Sequence, residues 1–140
     1  MNPIYTAEAL ATGDGRNGHA RSSDGKLDLD LDMPKELGGS GVGTNPEQLF
    51  ATGYAACFHS ALRLVAGQAG ADVTDSTVGA RVSLGSNDSG GFELAVELEV
   101  TLPAVEAGAA KELVDKAHEV CPYSNATRGN IDVTLTIADD

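Results

Sequence analysis

Residues 44–66, TNPEQLFATGYAACFHSALRLVA, decide the fold. Thr44 and Asn45 are both good N-cap residues, and Pro46 suits a first helical position. Thr44 with Glu47 three places on has the form of a capping box. Between Glu47 and Arg63 no residue carries a formal charge, and Leu49, Phe50, Tyr54, Ala55, Cys57, Phe58, Ala61 and Leu62 fall on every side of a helical wheel. A helix that is apolar all round is a buried helix. The uncharged run is short for a bilayer span, and Thr52, His59 and Ser60 interrupt it. The stretch therefore predicts the central core helix of a soluble domain, alone or shared with a second chain, with Cys57 near its middle.

Working outward, 140 residues predict a single domain, 1–140, large enough for its own core. The formal charge of -12 and the lack of any basic run argue against nucleic acid and against anionic membrane surfaces. The opening residues MNPIYTAEAL have neither a basic n-region nor a long apolar run, so the expectation is no signal peptide and a cytoplasmic location. With three Phe, three Tyr and no Trp, the core is built mainly from Ala, Val and Leu.

Before the helix, residues 4–10 read as a first strand, followed by the Gly-, Asp- and Asn-rich loop ATGDGRNGHA, which presents Arg16. Residues 19–22 begin a second strand. Leu27, Leu29 and Leu31 alternate with Asp28, Asp30 and Asp32, the pattern of a half-buried strand with an acidic outer face. Pro34 ends it, and the glycine-rich 38–43 lacks the GxGxxG spacing of a dinucleotide site. After the helix, 77–84 and 92–102 predict a hairpin about the loop GSNDSGG, with Phe92, Leu94, Val96, Leu98, Val100 and Leu102 in strict alternation. Residues 105–120 predict a second helix whose apolar stripe runs through Ala110, Leu113, Val114 and Ala117 to Cys121, with Pro122 as its stop. A polar loop and a last strand through Ile131, Val133, Leu135 and Ile137 follow. The order is α+β rather than alternating βαβ.

The chemistry turns on the two cysteines. A buried cysteine is most often inert packing; the alternatives are a metal site or a redox pair. A redox pair requires Cα atoms within about 7 Å, which only the fold can supply. A reactive thiol must be a thiolate, and Cys57 lies beyond the first turn over which a helix dipole acts. It needs a cation. Arg16 is the best candidate, and an arginine in an apolar site needs a carboxylate, for which Glu47 is nearest. Ten residues separate Glu47 from Cys57, about 15 Å along an unbroken helix. Either the first turn departs from the helix or Glu47 serves the site of a second chain packed about a two-fold axis. Zinc is a weaker reading: His118 and Cys121 stand at i and i+3 with Cys57 as a distant third ligand, but close CxxC spacing is absent. No GxSxG supports serine catalysis.

At TNPEQLFATGYAACF (44–58) and HEVCPYSNATRGNIDV (118–133) the sequence resembles the organic hydroperoxide resistance family within the larger OsmC-like superfamily. TGDGRNG, SSDGKLDLDLDMPKELGG and FELAVELEVTLP carry the resemblance over nearly the whole chain. It implies an OsmC-like α+β fold, with β-sheets wrapped around a long central helix in an intertwined homodimer whose sites lie at the dimer interface. It implies a thiol peroxidase with no bound metal or organic cofactor. In it Cys57 attacks an organic hydroperoxide, Cys121 resolves the sulfenic acid as a disulfide, Arg16 holds the Cys57 thiolate and Glu47 positions Arg16. Dihydrolipoyl groups, as dihydrolipoamide or on a lipoylated protein, are the implied electron donor. Leu49, Phe50, Tyr54 and Phe58 would favour alkyl or fatty-acid hydroperoxides. The chain departs from the family at Thr52 and His59 and in a slightly shortened loop before the helix. Two other readings compete: an OsmC-type peroxidase with a different substrate or reductant, and a non-catalytic dimer that binds apolar ligands around inert cysteines.

Overall fold

The long helix α1 spans Pro46–Ala69 without a break in the computed structural model, which describes residues 1–138. Asn45 caps it: its side-chain Oδ1 accepts the backbone N–H of Gln48 at 2.8 Å. The Thr44–Glu47 capping box does not form, because the Thr44 hydroxyl donates to the Gln48 side-chain oxygen at 2.7 Å and Glu47 is engaged elsewhere. By length and by a mean hydropathy of 1.2 over its apolar window, α1 has the composition of a membrane span. One of its faces is nonetheless packed into a protein core.

Two units divide the chain, Met1–Leu49 and Phe50–Asp140. The first holds an antiparallel sheet in the order β1 (Ala9–Thr12), β2 (His19–Ser22), β3 (Asp28–Asp30). The predicted strand over 4–10 is displaced: pairing begins at Ala9 opposite Ser22, and Ile4 and Tyr5 remain exposed with no strand beside them among the described residues. The Ser22–Leu27 turn is tied by Asp24, whose carboxylate accepts from the Ser22 hydroxyl at 2.6 Å and the Lys26 N–H at 3.0 Å. Leu31 is buried and bridges to Thr44, bringing the chain back to the start of α1. Gly43 is required there by close approach: a Cβ on it would lie 2.5 Å from the Asp30 carbonyl oxygen.

In the second unit β4 (Thr77–Ser86) and β5 (Phe92–Thr101) form the predicted hairpin, and β6 (Val133–Ile137) pairs with β5 in parallel. The register sets Val78 opposite Val100, Ala80 opposite Leu98 and Val82 opposite Val96, with Val133 and Leu135 continuing the same rows. The apolar alternation of the sequence thus becomes one continuous sheet face. Against it the core gathers Tyr54, Phe58, Leu62 and Val65 of α1 and Ala110, Leu113, Val114 and Ala117 of α2 (Ala107–Val120). Each large apolar side chain buried in this way contributes about 1.5–3 kcal/mol.

Two expectations change in this unit. First, α1 is not buried on every side: Thr52, Ala56, Ser60, Arg63 and Leu64 lie open in the single chain. Second, Pro122 does not lead into an irregular loop. It opens a further helix, α3 (Pro122–Thr127), because proline suits the first helical position as well as it suits a stop. Cys121 is the hinge between the two helices, with φ -64° and ψ 124°.

Candidate active site

The first unit forms a cation–carboxylate clamp. Arg16 stands on a single 3-10 turn, Gly15–Asn17, between β1 and β2. Its Nη1 donates to Glu47 Oε1 at 2.5 Å and its Nη2 to Glu47 Oε2 at 3.0 Å, a two-pronged pair. The bonds to Glu47 hold the guanidinium above its ordinary pKa. The arginine side chain keeps 38% of its exposure and the glutamate 18%, so the carboxylate is consumed by the pair while the cation retains an open edge. His19, on the same sheet, lies between Asp30 at 2.8 Å and Asp28, which raise its pKa; it is a surface ion-pair residue.

The second unit brings the two thiols together. Cys57 is half-buried on α1, and Cys121 is fully buried at the α2–α3 hinge. The Cys121 thiol donates to Cys57 Sγ at 3.6 Å. A disulfide needs about 2.05 Å, so bonding requires an approach of about 1.5 Å, the scale of a local adjustment. Burial pushes the Cys57 thiol up, as does its neighbour Cys121, while the backbone N–H of Tyr123 draws it down. The surroundings within this unit therefore favour the thiol, and a thiolate requires a cation in addition.

An aromatic cluster packs in the same unit, and the backbone of one member, Tyr123, bonds Cys57. Phe50, Tyr54 and Tyr123 pack with ring centroids 5.6–5.9 Å apart in tilted and edge-on pairs. Gly53 makes room for Tyr123: a Cβ there would meet Tyr123 Oη at 2.8 Å and two ring carbons at 3.3 Å. Gly53→Ala gains helix propensity and displaces a ring that can move outward, so stability should change by less than about 1 kcal/mol. The near-ultraviolet circular dichroism of the tyrosine cluster should change instead, and an unaltered spectrum would exclude the clash.

Sequence reasoning gave no role to Tyr54 or Ser124 in holding the hinge. Tyr54 Oη lies 2.8 Å from Ser124 Oγ and 3.0 Å from Thr127 Oγ1, and His118 Nδ1 lies 2.8 Å from Ser124 Oγ. Arg128 Nη1 donates to the His118 carbonyl at 2.8 Å, satisfying an orphan carbonyl of the last turn of α2, and its Nη2 bonds Asn125. Polar residues buried at helical spacing in 121–128 were the available signal. His118 is directed at Ser124 rather than at sulfur, and His59 Nε2 bonds Ser76 Oγ at 2.9 Å. Among the described residues no three His, Cys, Asp or Glu side chains converge as a metal site.

Burial and the nearby Arg128 lower the pKa of His118, with Asp115 opposing. Below its ordinary value near 6.5 the unfolded chain then binds the proton more readily than the fold. This contribution to stability is complete above that pH and is lost as pH falls through it. Urea midpoints of the wild type should fall more steeply than those of His118→Asn between neutral and mildly acid pH, and parallel curves would exclude the effect.

A long helix carrying one thiol, set against a second buried thiol at a helix hinge in an α+β fold, defines a two-cysteine protein of the OsmC-like class. The OsmC-like protein family matches residues 38–136. The chain is 55% identical to an organic hydroperoxide resistance protein of Xanthomonas axonopodis pv. citri, covering 96% of this chain and 95% of that one. It superposes on the crystal structure of an organic hydroperoxide resistance protein from Legionella pneumophila with TM-score 0.93 and 51% identity, covering 99% and 100% of the two chains. A third relative, from Vibrio cholerae, has TM-score 0.92 and 50% identity over 98% of this chain and 94% of that one, and its crystal holds captopril in one of the active sites. The chain belongs to the OsmC-like family, in its organic hydroperoxide resistance subfamily.

Proposed function

We propose that the protein is a thiol-dependent peroxidase of organic hydroperoxides, acting in the cytoplasm as a homodimer of one-domain chains without a bound cofactor. The observation that carries this reading is the 3.6 Å separation between half-buried Cys57 and buried Cys121. The Cys57 thiolate attacks the terminal oxygen of ROOH; the O–O bond breaks, giving Cys57–SOH and an alkoxide that takes a proton and leaves as ROH. Cys121–SH then displaces hydroxide from the sulfenic sulfur, forming the Cys57–Cys121 disulfide and water. A dihydrolipoyl dithiol reduces that disulfide by exchange and is itself oxidised to the cyclic disulfide.

In this reading Arg16, oriented by Glu47, supplies the cation that the Cys57 thiol lacks within its own unit. The clamp of one chain serves the thiols of its partner. Two observations support this arrangement: α1 runs unbroken through both Glu47 and Cys57, and its Thr52–Ala56–Ser60–Leu64 face lies open for a second helix. The rings of half-buried Phe50 and exposed Tyr123 favour alkyl chains over hydrogen peroxide.

The deciding experiment measures peroxide consumption with dihydrolipoamide as sole reductant, comparing cumene hydroperoxide with hydrogen peroxide. Fast turnover selective for the organic substrate is expected. No turnover by fully reduced protein would instead favour a non-catalytic dimer that binds apolar ligands.

A further inference from the structure

We infer that the Tyr54 hydroxyl is a positioning residue for the resolving thiol, the middle member of a one-way hydrogen-bond chain that sets Cys121 against Cys57. This deepens the peroxidase reading and rests on it. The chain links five groups on four residues through four contacts: His118 Nδ1 with Ser124 Oγ, Ser124 Oγ with Tyr54 Oη, Tyr54 Oη with Thr127 Oγ1, and Thr127 Oγ1 with the Ser124 carbonyl. Tyr54, Ser124 and Thr127 are buried.

Proton counting fixes its direction. A carbonyl only accepts, so the Thr127 hydroxyl donates to Ser124 O at 3.2 Å. That hydroxyl has no second proton, so Tyr54 donates to Thr127. Tyr54 is then spent, so Ser124 donates to Tyr54, and His118 must donate its Nδ1–H to Ser124. Three hydroxyl protons cannot serve four contacts, and the imidazole supplies the fourth. Each of the three hydroxyls both donates and accepts, so removing one strands a buried neighbour.

The location gives this chain its consequence. Tyr54 precedes Cys57 by one helical turn on α1, and Ser124 follows Cys121 by one turn on α3. Cys121 is a hinge in extended backbone conformation, so the angle of α3 about it fixes where its sulfur lies. Ser124 and Thr127, both bonded to one phenol, tie α3 to the helix that carries the other sulfur. The step that depends on this tie is Cys57–SOH + Cys121–SH → disulfide + H2O, and the attack of Cys57 on peroxide does not depend on it.

The test follows the two steps separately in wild type and Tyr54→Phe by stopped flow and mass spectrometry. Cys57 oxidation by cumene hydroperoxide should keep its wild-type rate constant, while disulfide formation slows about tenfold or more, as expected of a misplaced reacting group. Sulfenic acid should accumulate and pass on to sulfinic acid at lower peroxide than in the wild type. Disulfide formation at the wild-type rate overturns the inference. So does a parallel fall in both steps, which a merely structural role would give. Should Tyr54→Phe fail to fold, Thr127→Val against the hydroxyl-retaining Thr127→Ser poses the same comparison, with only the valine expected to slow the second step. Diamide, which oxidises the two thiols to the disulfide without peroxide, separates the inference from the reading beneath it. A wild type inert to peroxide but faster than Tyr54→Phe with diamide would sink the peroxidase reading and keep the positioning role.

Discussion

Cys57→Ser is expected to abolish turnover of organic hydroperoxide, a loss of about 10³-fold or more, as for the removal of other catalytic nucleophiles. A serine hydroxyl is protonated at neutral pH and is a poor nucleophile towards oxygen, so no other group in the thiol pair can take over the first step. Cys121→Ser should behave differently. Its Cys57 is still oxidised once, but no thiol stands 3.6 Å away to condense with the sulfenic acid. Mass spectrometry that counts oxygen atoms on Cys57 should find it stopped at the sulfenic acid and then advancing to the sulfinic acid, with no intramolecular disulfide. Equal first-step rates in the wild type and Cys57→Ser would remove Cys57 from the chemistry altogether.

The second large effect concerns which chain supplies Arg16. Arg16→Ala alone should lower turnover about 10²-fold, by removing the charge that favours the thiolate. Cys57→Ser alone is inactive. When the two variant chains are mixed and allowed to exchange, a site built across a two-fold axis is restored in each mixed dimer, since the intact Cys57 of one chain meets the intact Arg16 of the other. Random pairing at equal amounts gives about a quarter of wild-type activity, half of the dimers being mixed and each having one good site. A site confined to one chain gives no recovery. Protein that sediments as a monomer at assay concentration would remove the arrangement before any mixing.

Legibility differed from element to element for physical reasons. The hairpin at 77–102 was plain, because strict alternation has one geometric meaning when one sheet face is buried. The strand over 4–10 was misplaced because Ile4 and Tyr5 have strand propensity but no strand partner among the described residues, and pairing rather than propensity sets strand limits. Proline after Cys121 was read as a stop alone, whereas it both ends α2 and opens α3 at one hinge. The four proposed site residues were legible as residue types with a shared chemical logic, and the pairing of Arg16 with Glu47 was anticipated from charge alone. The Tyr54–Ser124–Thr127 chain was not, since the i, i+3 spacing of Ser124 and Thr127 shows a shared helix face but not that Tyr54, 70 residues away, meets it.

The parallel pairing of β6 with β5 has a temporal meaning. A hairpin such as β4–β5 closes locally, whereas a parallel neighbour waits for its whole crossover connection. That connection is α2 and α3, and Cys121 lies on it. During synthesis Cys57 emerges early on α1, and its partner sulfur is seated only when the last strand of the sheet docks. Until then the nascent chain carries the Cys57 thiol without Cys121 beside it. Completion of the fold and the meeting of the two thiols are the same late event.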